Sequence, residues 1–375
     1  MNIGWIIVIT ICFIFIQSRM YEKWGFANIY YSRSFNRTAV FEGEEIEMID
    51  EISNRKLLPL PWLRLESKMN ANFLFQNQDD KGAQVENEVF HRTIFSLFPY
   101  QKITRKHFLT CTKRGYYQLD TVSMSIGDPF GFSEKFQSME AKTSVAVYPR
   151  LVPIEEIPLP SHSFLGEIFV KRWIVEDPFV NAGIRDYQNG DSLQTINWKA
   201  TARAGRFQVN KKDFTADHHL LIYVNFDQTE DIWLPIENPA FIERAISYAA
   251  SIAEYSLRNG VSTGFGCNGY LVPPYSNPTD KRKASVRIEP SNGENQLEFI
   301  LDTMAKISMD RSRNFNYFLL EDINRQIQNH DILILTSRKT EQMVRHIYEL
   351  EGLGNSVEVV LLEEMDVEEL GERYA

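Results

Sequence analysis

Residues 220–226 read LLIYVNF, a continuous apolar run of the kind a strand carries when both of its faces are covered. A punctuated helix follows. Asn238 stands where a cap would accept from the first turn, Pro239 suits the first helical position, and Gly260 follows the last periodic residue. Between them Phe241, Ile242, Ala245, Ile246, Ala249, Ile252 and Ala253 recur at helical spacing. The alternation then continues. VSTGF (261–265) is a strand, 295–307 and 315–329 are helices, and DILIL (331–335) is a strand. A helix over 339–351 and the strand VEVVLL (357–362) complete it. Buried strands alternating with amphipathic helices predict a parallel, doubly wound α/β domain over 218–375.

Upstream the rhythm differs. Ile46 and Met48 alternate with Glu45 and Glu47, and Val122, Met124 and Ile126 alternate with Ser123 and Ser125. A period of two marks half-buried strands. Pro59, Pro61, Gly115, Asp128-Pro129 and Gly131 punctuate them, and TSVAVY (143–148) is one more strand, stopped by Pro149. Residues 30–150 therefore predict an Ig-like β-sandwich. Residues 151–217 read as a connector rich in charged and small residues.

The N-terminus carries a different signal. Ile3 to Ile16 (IGWIIVITICFIFI) holds no charge. The run is short against the roughly 20 residues of a spanning helix, and Met1, Asn2, Gln17 and Ser18 bring it near the lower limit. No basic residue precedes Arg19 and no A-x-A cleavage pattern occurs, so 1–18 reads as a transmembrane anchor rather than a signal peptide. Arg19 and Lys23 follow the run. The positive-inside tendency then places the bulk of a single-pass protein of the cell membrane in the cytoplasm.

Composition excludes several classes. With 40 basic and 50 acidic residues the formal charge is −10, so the chain lacks the global field that nucleic-acid binding favours. Its three cysteines, Cys12, Cys111 and Cys267, form neither a disulfide framework nor a zinc spacing. Cys111 and Cys267 have no readable base nearby and read as buried, inert thiols. Gly264 to Gly269 formally matches G-x-G-x-x-G, but Pro273, Pro274 and Pro278 follow where a dinucleotide site needs a helix. A glycine-rich strand end is the better reading. His218 and His219 would point to opposite faces of a strand and read as a solvated edge rather than metal ligands. No Walker A, H-E-x-x-H or G-x-S-x-G sequence occurs, so no enzymatic activity is expected.

The most distinctive stretch is 185–211, RDYQNGDSLQTINWKATARAGRFQVNK. Asn189-Gly190 signals a turn, Asp191 or Ser192 can cap a short helix, and Gly205 can end it. Phe207 and Val209 then begin a strand by alternation. Trp198 reads as a core anchor of the connector. Lys199, Arg203, Arg206, Lys211 and Lys212 have two readings. They meet phosphates or an acidic partner, or Arg185, Arg203 and Arg206 pair with Asp186, Asp191 and Asp213 and lock the junction between domains.

This stretch closely resembles the signature of the domain-of-unknown-function 58 family. The residues that carry the resemblance are Arg185, Tyr187, Gly190, Asp191, Trp198, Lys199, Ala200, Ala202, Arg203, Gly205 and Arg206. A second match runs from Arg114-Gly115-Tyr116-Tyr117 to Gly127-Asp128-Pro129-Phe130-Gly131. The resemblance implies a membrane-anchored protein with a von Willebrand factor A-like C-terminal domain. It also implies a scaffold or adaptor role beside a MoxR-type AAA+ ATPase, and brings no established enzymatic activity. Many relatives carry two closely spaced N-terminal membrane helices, whereas one is found here.

A von Willebrand factor A domain often holds Mg²⁺ through D-x-S-x-S after its first strand, and the loop here offers two registers, Asn225-x-Asp227-x-Thr229 or Asp227-x-Thr229-x-Asp231. The pattern is degenerate, and Thr336-Ser337 stands where a further Asp is expected after strand 331–335. An acidic, solvated loop is the alternative to a metal site. Two rival functions stay open. One is an envelope-associated hydrolase using Asp186, Asp191 and Arg203. The other is an exported, cation-dependent adhesion module.

Overall fold

The computed structural model describes residues 3–76, 83–85, 88–131, 134–159, 176–187, 196–214, 219–229, 235–272 and 283–362. The apolar run forms helix α1 (Ile3–Trp24), which continues past Ser18. Its 22 residues span about 33 Å, close to the hydrocarbon thickness of a bilayer. Most of its apolar side chains are exposed, including Trp5, Ile9, Phe13, Phe15 and Ile16. By length and composition α1 can cross a membrane, a property that anchors and signal sequences share.

The described residues fall into two compact units that divide at Arg150, with Leu301–Lys306 grouping with the first. After α1 the first unit is built of strands. They are β1 (Ile29–Phe35), β2 (Ala39–Phe41), β3 (Glu45–Asn54), β4 (Leu60–Asn70) and β5 (Phe73–Phe75), then β6 (Ala83–Val85), β7 (Glu88–Leu97), β8 (Lys102–Cys111), β9 (Gly115–Gly127) and β10 (Glu134–Tyr148). They form a four-stranded sheet in the order β1-β3-β8-β5 and a six-stranded sheet in the order β2-β10-β9-β4-β7-β6. The pairings are antiparallel except β2 with β10.

The alternation legible in β3 puts Ile46, Met48, Asp50, Ile52 and Asn54 inside. Two apolar clusters result, each drawing on both sheets. One gathers Met48, Phe73, Leu109 and Val145, the other Ile52, Leu63, Phe95 and Met124. The glycine of the Gly-Asp-Pro-Phe-Gly stretch has a packing reason. A Cβ on Gly127 would lie 1.9 Å from the Trp62 ring, so only glycine lets the indole lie flat against β9.

In the second unit, β11 (Glu176–Asp186) and β12 (Gln208–Phe214) form a two-stranded antiparallel sheet with helix α2 (Trp198–Ala204) between them in sequence. A five-stranded sheet follows, built from β13 (His219–Val224), β14 (Ser262–Cys267), β16 (Val286–Ser291), β18 (His330–Thr336) and β19 (Ser356–Leu361), in the order β16-β14-β13-β18-β19. Helices α3 (Pro239–Arg258), α4 (Glu294–Ala305), α5 (Phe315–Asn324) and α6 (Glu341–Gly352) intervene, and β15 (Gly269–Leu271) pairs with β17 (Ile307–Arg311). Leu221, Tyr223, Ile332 and Ile334 form one core with α5 and α6, while α3 packs against β13 and β14.

Three local expectations are corrected. The sheet is mixed rather than wholly parallel, because edge strand β16 runs antiparallel to β14. The helix expected over 315–329 stops at Asn324, and Gln326 and Asn329 adopt positive φ. The short motif helix is capped by Asn197, whose side chain accepts from the Ala200 N–H, while Asp191 and Ser192 lie outside the described residues. Other signals are met where expected. Asn238 caps α3, Pro239 opens it, and the chain turns at Gly260 with φ +75°. The glycine-rich stretch is strand β14. A Cβ on Gly264 would meet the Ile288 carbonyl at 2.4 Å and one on Gly266 would meet Phe318 and Tyr223 at 2.9 Å, so these glycines permit close packing.

Candidate functional site

The chain leaves β13 through α3 to reach β14 on one side, and returns later to place β18 on the other. Loops that diverge in this way leave a crevice at the carboxyl ends of the two strands. A cleft of about 680 Å³ lies there. Its walls come from the loop Asn225–Thr229, the start of α5 at Asn314–Asn316, and residues 338–345 leading into α6. Arg338, Lys339 and Arg345 line it together with Asp227 and Glu341, so basic residues outnumber acidic ones.

Asn225, Asp227 and Thr229 all line this cleft, as the loop position suggested. The side-chain oxygens of Asn225 and Asp227, however, are engaged inward. Asp227 is 7% exposed. Its Oδ2 accepts from the Phe315 N–H at 2.6 Å, and its Oδ1 accepts from Asn268 Nδ2 at 2.9 Å and lies 3.8 Å from Arg311 Nη1. Asn225 Oδ1 accepts from the Asp227 N–H at 2.8 Å, and its amide donates to Thr336 Oγ1 at 3.0 Å. Thr336 in turn donates to the Arg338 carbonyl.

A hard cation needs several oxygens converging on it. Here the Phe315 N–H and Asn268 Nδ2 each occupy one Asp227 oxygen and the Arg311 guanidinium stands nearby, so the carboxylate is poorly placed to meet a cation. Among the described residues no cluster of three or more His, Cys, Asp or Glu is placed to hold a metal. Burial raises the Asp227 pKa, and the Phe315 N–H, Arg311 and Asn268 offset it only in part.

The motif builds a second surface. Tyr187 N–H donates to the Phe207 carbonyl, Asn197 N–H to the Gln208 carbonyl, and Gln208 N–H to Thr201 Oγ1. These bonds fix α2 beside the start of β12, and Gly205 turns the chain between them at φ +68°. Asp186 pairs with Arg206 at 3.2 Å and accepts from Gln208 Nε2, which realises one of the expected motif ion pairs. Lys199, Arg203, Gly205 and Arg206 are exposed. Arg185 pairs with Val209 in the β11–β12 register, and Gly190 lies outside the described residues.

Trp198 corrects its expectation. It is 66% exposed and meets Phe207, itself 55% exposed, edge-on at 6.4 Å. None of the seven residues of α2 is buried. Here Ile196, immediately before α2, bridges to Val209 and both are buried, which leaves the indole outside.

The cysteines behave as expected, with Cys111 and Cys267 both buried. Burial pushes the Cys111 thiol up to about 12, far from a nucleophile's range.

Residues 183–329 match the family model described as protein of unknown function DUF58. The matched segment contains the whole 185–211 stretch. The chain is also 23% identical over 338 residues to the uncharacterized protein YeaD of Bacillus subtilis (strain 168), covering 90% of this chain and 76% of that protein. Among solved structures it is similar to the ASH/PapD-like domain of human CEP192, at 14% identity, 32% coverage of this chain, 84% of that chain and TM-score 0.21. A cohesin module from Clostridium perfringens is similar at 18% identity, 31% and 95% coverage and TM-score 0.21. Likenesses of that size support no argument about fold or function.

No local pattern in the chain marks Arg311 or Arg338 as neighbours of the 225–229 loop. Asn268 lies inside the glycine-rich stretch whose cofactor reading fails, and its side chain ties Phe226, Asp227 and Arg313 together. An asparagine directly after a buried strand was the available hint.

Proposed function

We propose that the chain is a membrane-anchored, non-enzymatic scaffold or adaptor. In this reading α1 is a single-pass anchor in the cell membrane. The strand-built unit is an Ig-like β-sandwich on the cytoplasmic side, residues 218–375 are a von Willebrand factor A-like domain, and that domain together with the 185–211 motif engages a partner. The observation that carries the reading is the exposed face of the motif, where Trp198 and Phe207 stand among Lys199, Arg203 and Arg206. Tryptophan and arginine dominate the residues that supply binding energy in protein interfaces, and an indole two-thirds exposed is otherwise costly to hydrate. The cleft supports the same reading, because its buried carboxylate is spent on structure.

A MoxR-type AAA+ ATPase is the leading partner, on the family resemblance. Of the residues a hydrolase would use, Asp186 is exposed and already paired with Arg206 and Gln208, Arg203 is exposed, and Asp191 lies outside the described residues. Affinity capture of the full chain from membranes, under ATP-trapping conditions, tests the proposal. Recovery of a AAA+ ATPase with the native chain and its loss with Trp198→Ala are expected. Recovery of no such ATPase, or equal recovery with the variant, would sink it.

A further inference from the structure

Four residues separate the end of α1 from β1, and side chains fasten the junction. Tyr21 Oη donates to the Pro59 carbonyl at 2.9 Å. Lys56 Nζ reaches back to the end of the helix, donating to the carbonyl of Trp24, its last residue, and to that of Ala27 at 2.9 Å each, and to that of Gly25. A lysine in this position also complements the negative end of the helix dipole. Lys135 Nζ donates to the Glu22 carbonyl at 3.0 Å, and the Arg55 N–H to the Asn28 carbonyl at 2.9 Å. Helix α1 is thus a stiff continuation of the strand-built unit, so the helix direction fixes which end of that unit meets a membrane.

That end carries unusual side chains. The turn between β3 and β4 and the turn between β7 and β8 are held together by Asn54, whose Nδ2 donates to the Leu58 and Phe98 carbonyls at 2.9 and 3.0 Å. Turn tips are ordinarily Gly, Asn, Asp or Ser. Here Leu57, Phe98 and Tyr100 are 76%, 72% and 69% exposed. Trp24 and Tyr30 are exposed beside the junction, and the Arg55 guanidinium lies 4.3 Å from the Tyr30 ring centroid. From Arg19, the first charge after the apolar run, to Trp24 the helix rises about 7.5 Å, comparable with one headgroup layer.

We propose that Trp24, Leu57, Phe98 and Tyr100 form a rim that inserts into the headgroup layer of the same bilayer α1 crosses, seating the strand-built unit end-on against the lipid. The proposal rests on the reading of α1 as a membrane anchor. Aromatic residues are enriched at that depth because an apolar ring with a polar edge suits it. Lys23 and Arg55 add attraction to anionic headgroups. Leu74 supplies an internal control. It is exposed too, but it pairs with Thr110, which faces Glu45 at the opposite end of β3, about 30 Å from Asn54 along the strand.

The test uses the full chain with Cys12→Ala, reconstituted in phosphatidylcholine–phosphatidylglycerol vesicles. An environment-sensitive fluorophore is attached to Leu57→Cys, Phe98→Cys or Leu74→Cys, and quenched by lipid carrying a headgroup nitroxide. Blue-shifted, quenched emission at 57 and 98, with water-like, unquenched emission at 74, is the expected result. Water-like emission at 57 and 98 overturns the rim, and equal quenching at all three positions overturns the end-on seat. Carbonate extraction of the same vesicles separates the two readings. Protein that stays with the lipid while 57 and 98 remain water-exposed leaves the anchor standing and removes the rim. Protein released by carbonate removes the anchor itself.

Discussion

Two buried aspartates, one in each unit, show how differently burial can be resolved. Asp50 in the strand-built unit is fully buried. Arg33 grips it through Nε at 2.7 Å and Nη2 at 2.9 Å, Tyr31 Oη donates to it at 2.7 Å, and His107 Nε2 lies 3.6 Å away. Burial opposes its charge, but His107, Arg33 and Tyr31 together outweigh burial and hold its pKa below the usual carboxylate range. Asp227 in the α/β unit has one cation at 3.8 Å and two neutral N–H donors, and burial prevails. A bidentate guanidinium makes the first carboxylate a stable internal charge. The second is held mainly by hydrogen bonds that position a loop. Neither is arranged as a reactive group.

The largest expected effect comes from stripping Asp50 of its cation. Arg33→Met leaves the buried carboxylate with Tyr31 and His107 but without its guanidinium, and is expected to cost about 3–5 kcal/mol in urea unfolding of the full chain in detergent micelles. A cost under about 1 kcal/mol would mean the pair is not buried as described.

Asp227→Ala leaves the Phe315 N–H and Asn268 Nδ2 without this acceptor and removes the nearby charge from Arg311, at an expected cost of about 1–3 kcal/mol. Asp227→Asn should cost less, because the raised pKa shows the charge itself gains little there. A larger loss with Asn than with Ala would break the contrast.

Acidity should divide the two sites in opposite senses. Asp50 has a lowered folded pKa, so its contribution is present above the unfolded value of about 3.9 and is lost as pH falls through and below it. Asp227 has a raised folded pKa, so its contribution is full below about 3.9 and is lost as pH rises through the folded value. Each changes stability by at most about 1.4 kcal/mol per pH unit. Hydrogen exchange, corrected for intrinsic rates, should show peptides spanning 45–54 losing protection below about pH 4. Peptides spanning 219–229 should gain protection on acidification from neutral pH towards 4. Parallel behaviour of the two would contradict the assignment.

Tyr31→Phe removes one donor to Asp50 and should cost about 1 kcal/mol by the same unfolding measurement. Trp198→Ala should change stability by no more than about 0.5 kcal/mol, because the indole is exposed. A cost of several kcal/mol would return Trp198 to the core that its residue type suggested.

What could be read from the chain alone follows from the range of each interaction. The α3 helix was legible because its cap, its apolar stripe and its terminating glycine are local signals. The alternation in β3 was legible for the same reason, although it could not say that Asp50 points inward with Met48 and Ile52. Edge strand β16 escaped because VRIEPS has a proline and little apolar character, as edge strands do. The partners of Asp227 sit 41 and 88 residues further along the chain, so nothing near 225–229 announced that its oxygens were already engaged. Trp198 misled because residue type reports an average, while none of the seven residues of α2 is buried. Lys56 lies in a turn that reads as ordinary polar loop, and its role appears only when α1 is placed beside it.

The claim that exposed surface rather than buried charge carries the function is most directly tested by crosslinking in native membranes. A photo-reactive amino acid would replace Phe207 in the full chain. The account expects a discrete protein adduct, strongly reduced when Trp198→Ala is added while the chain's level and stability are unchanged. No adduct from position 207, or one of undiminished yield in the double variant, would contradict it.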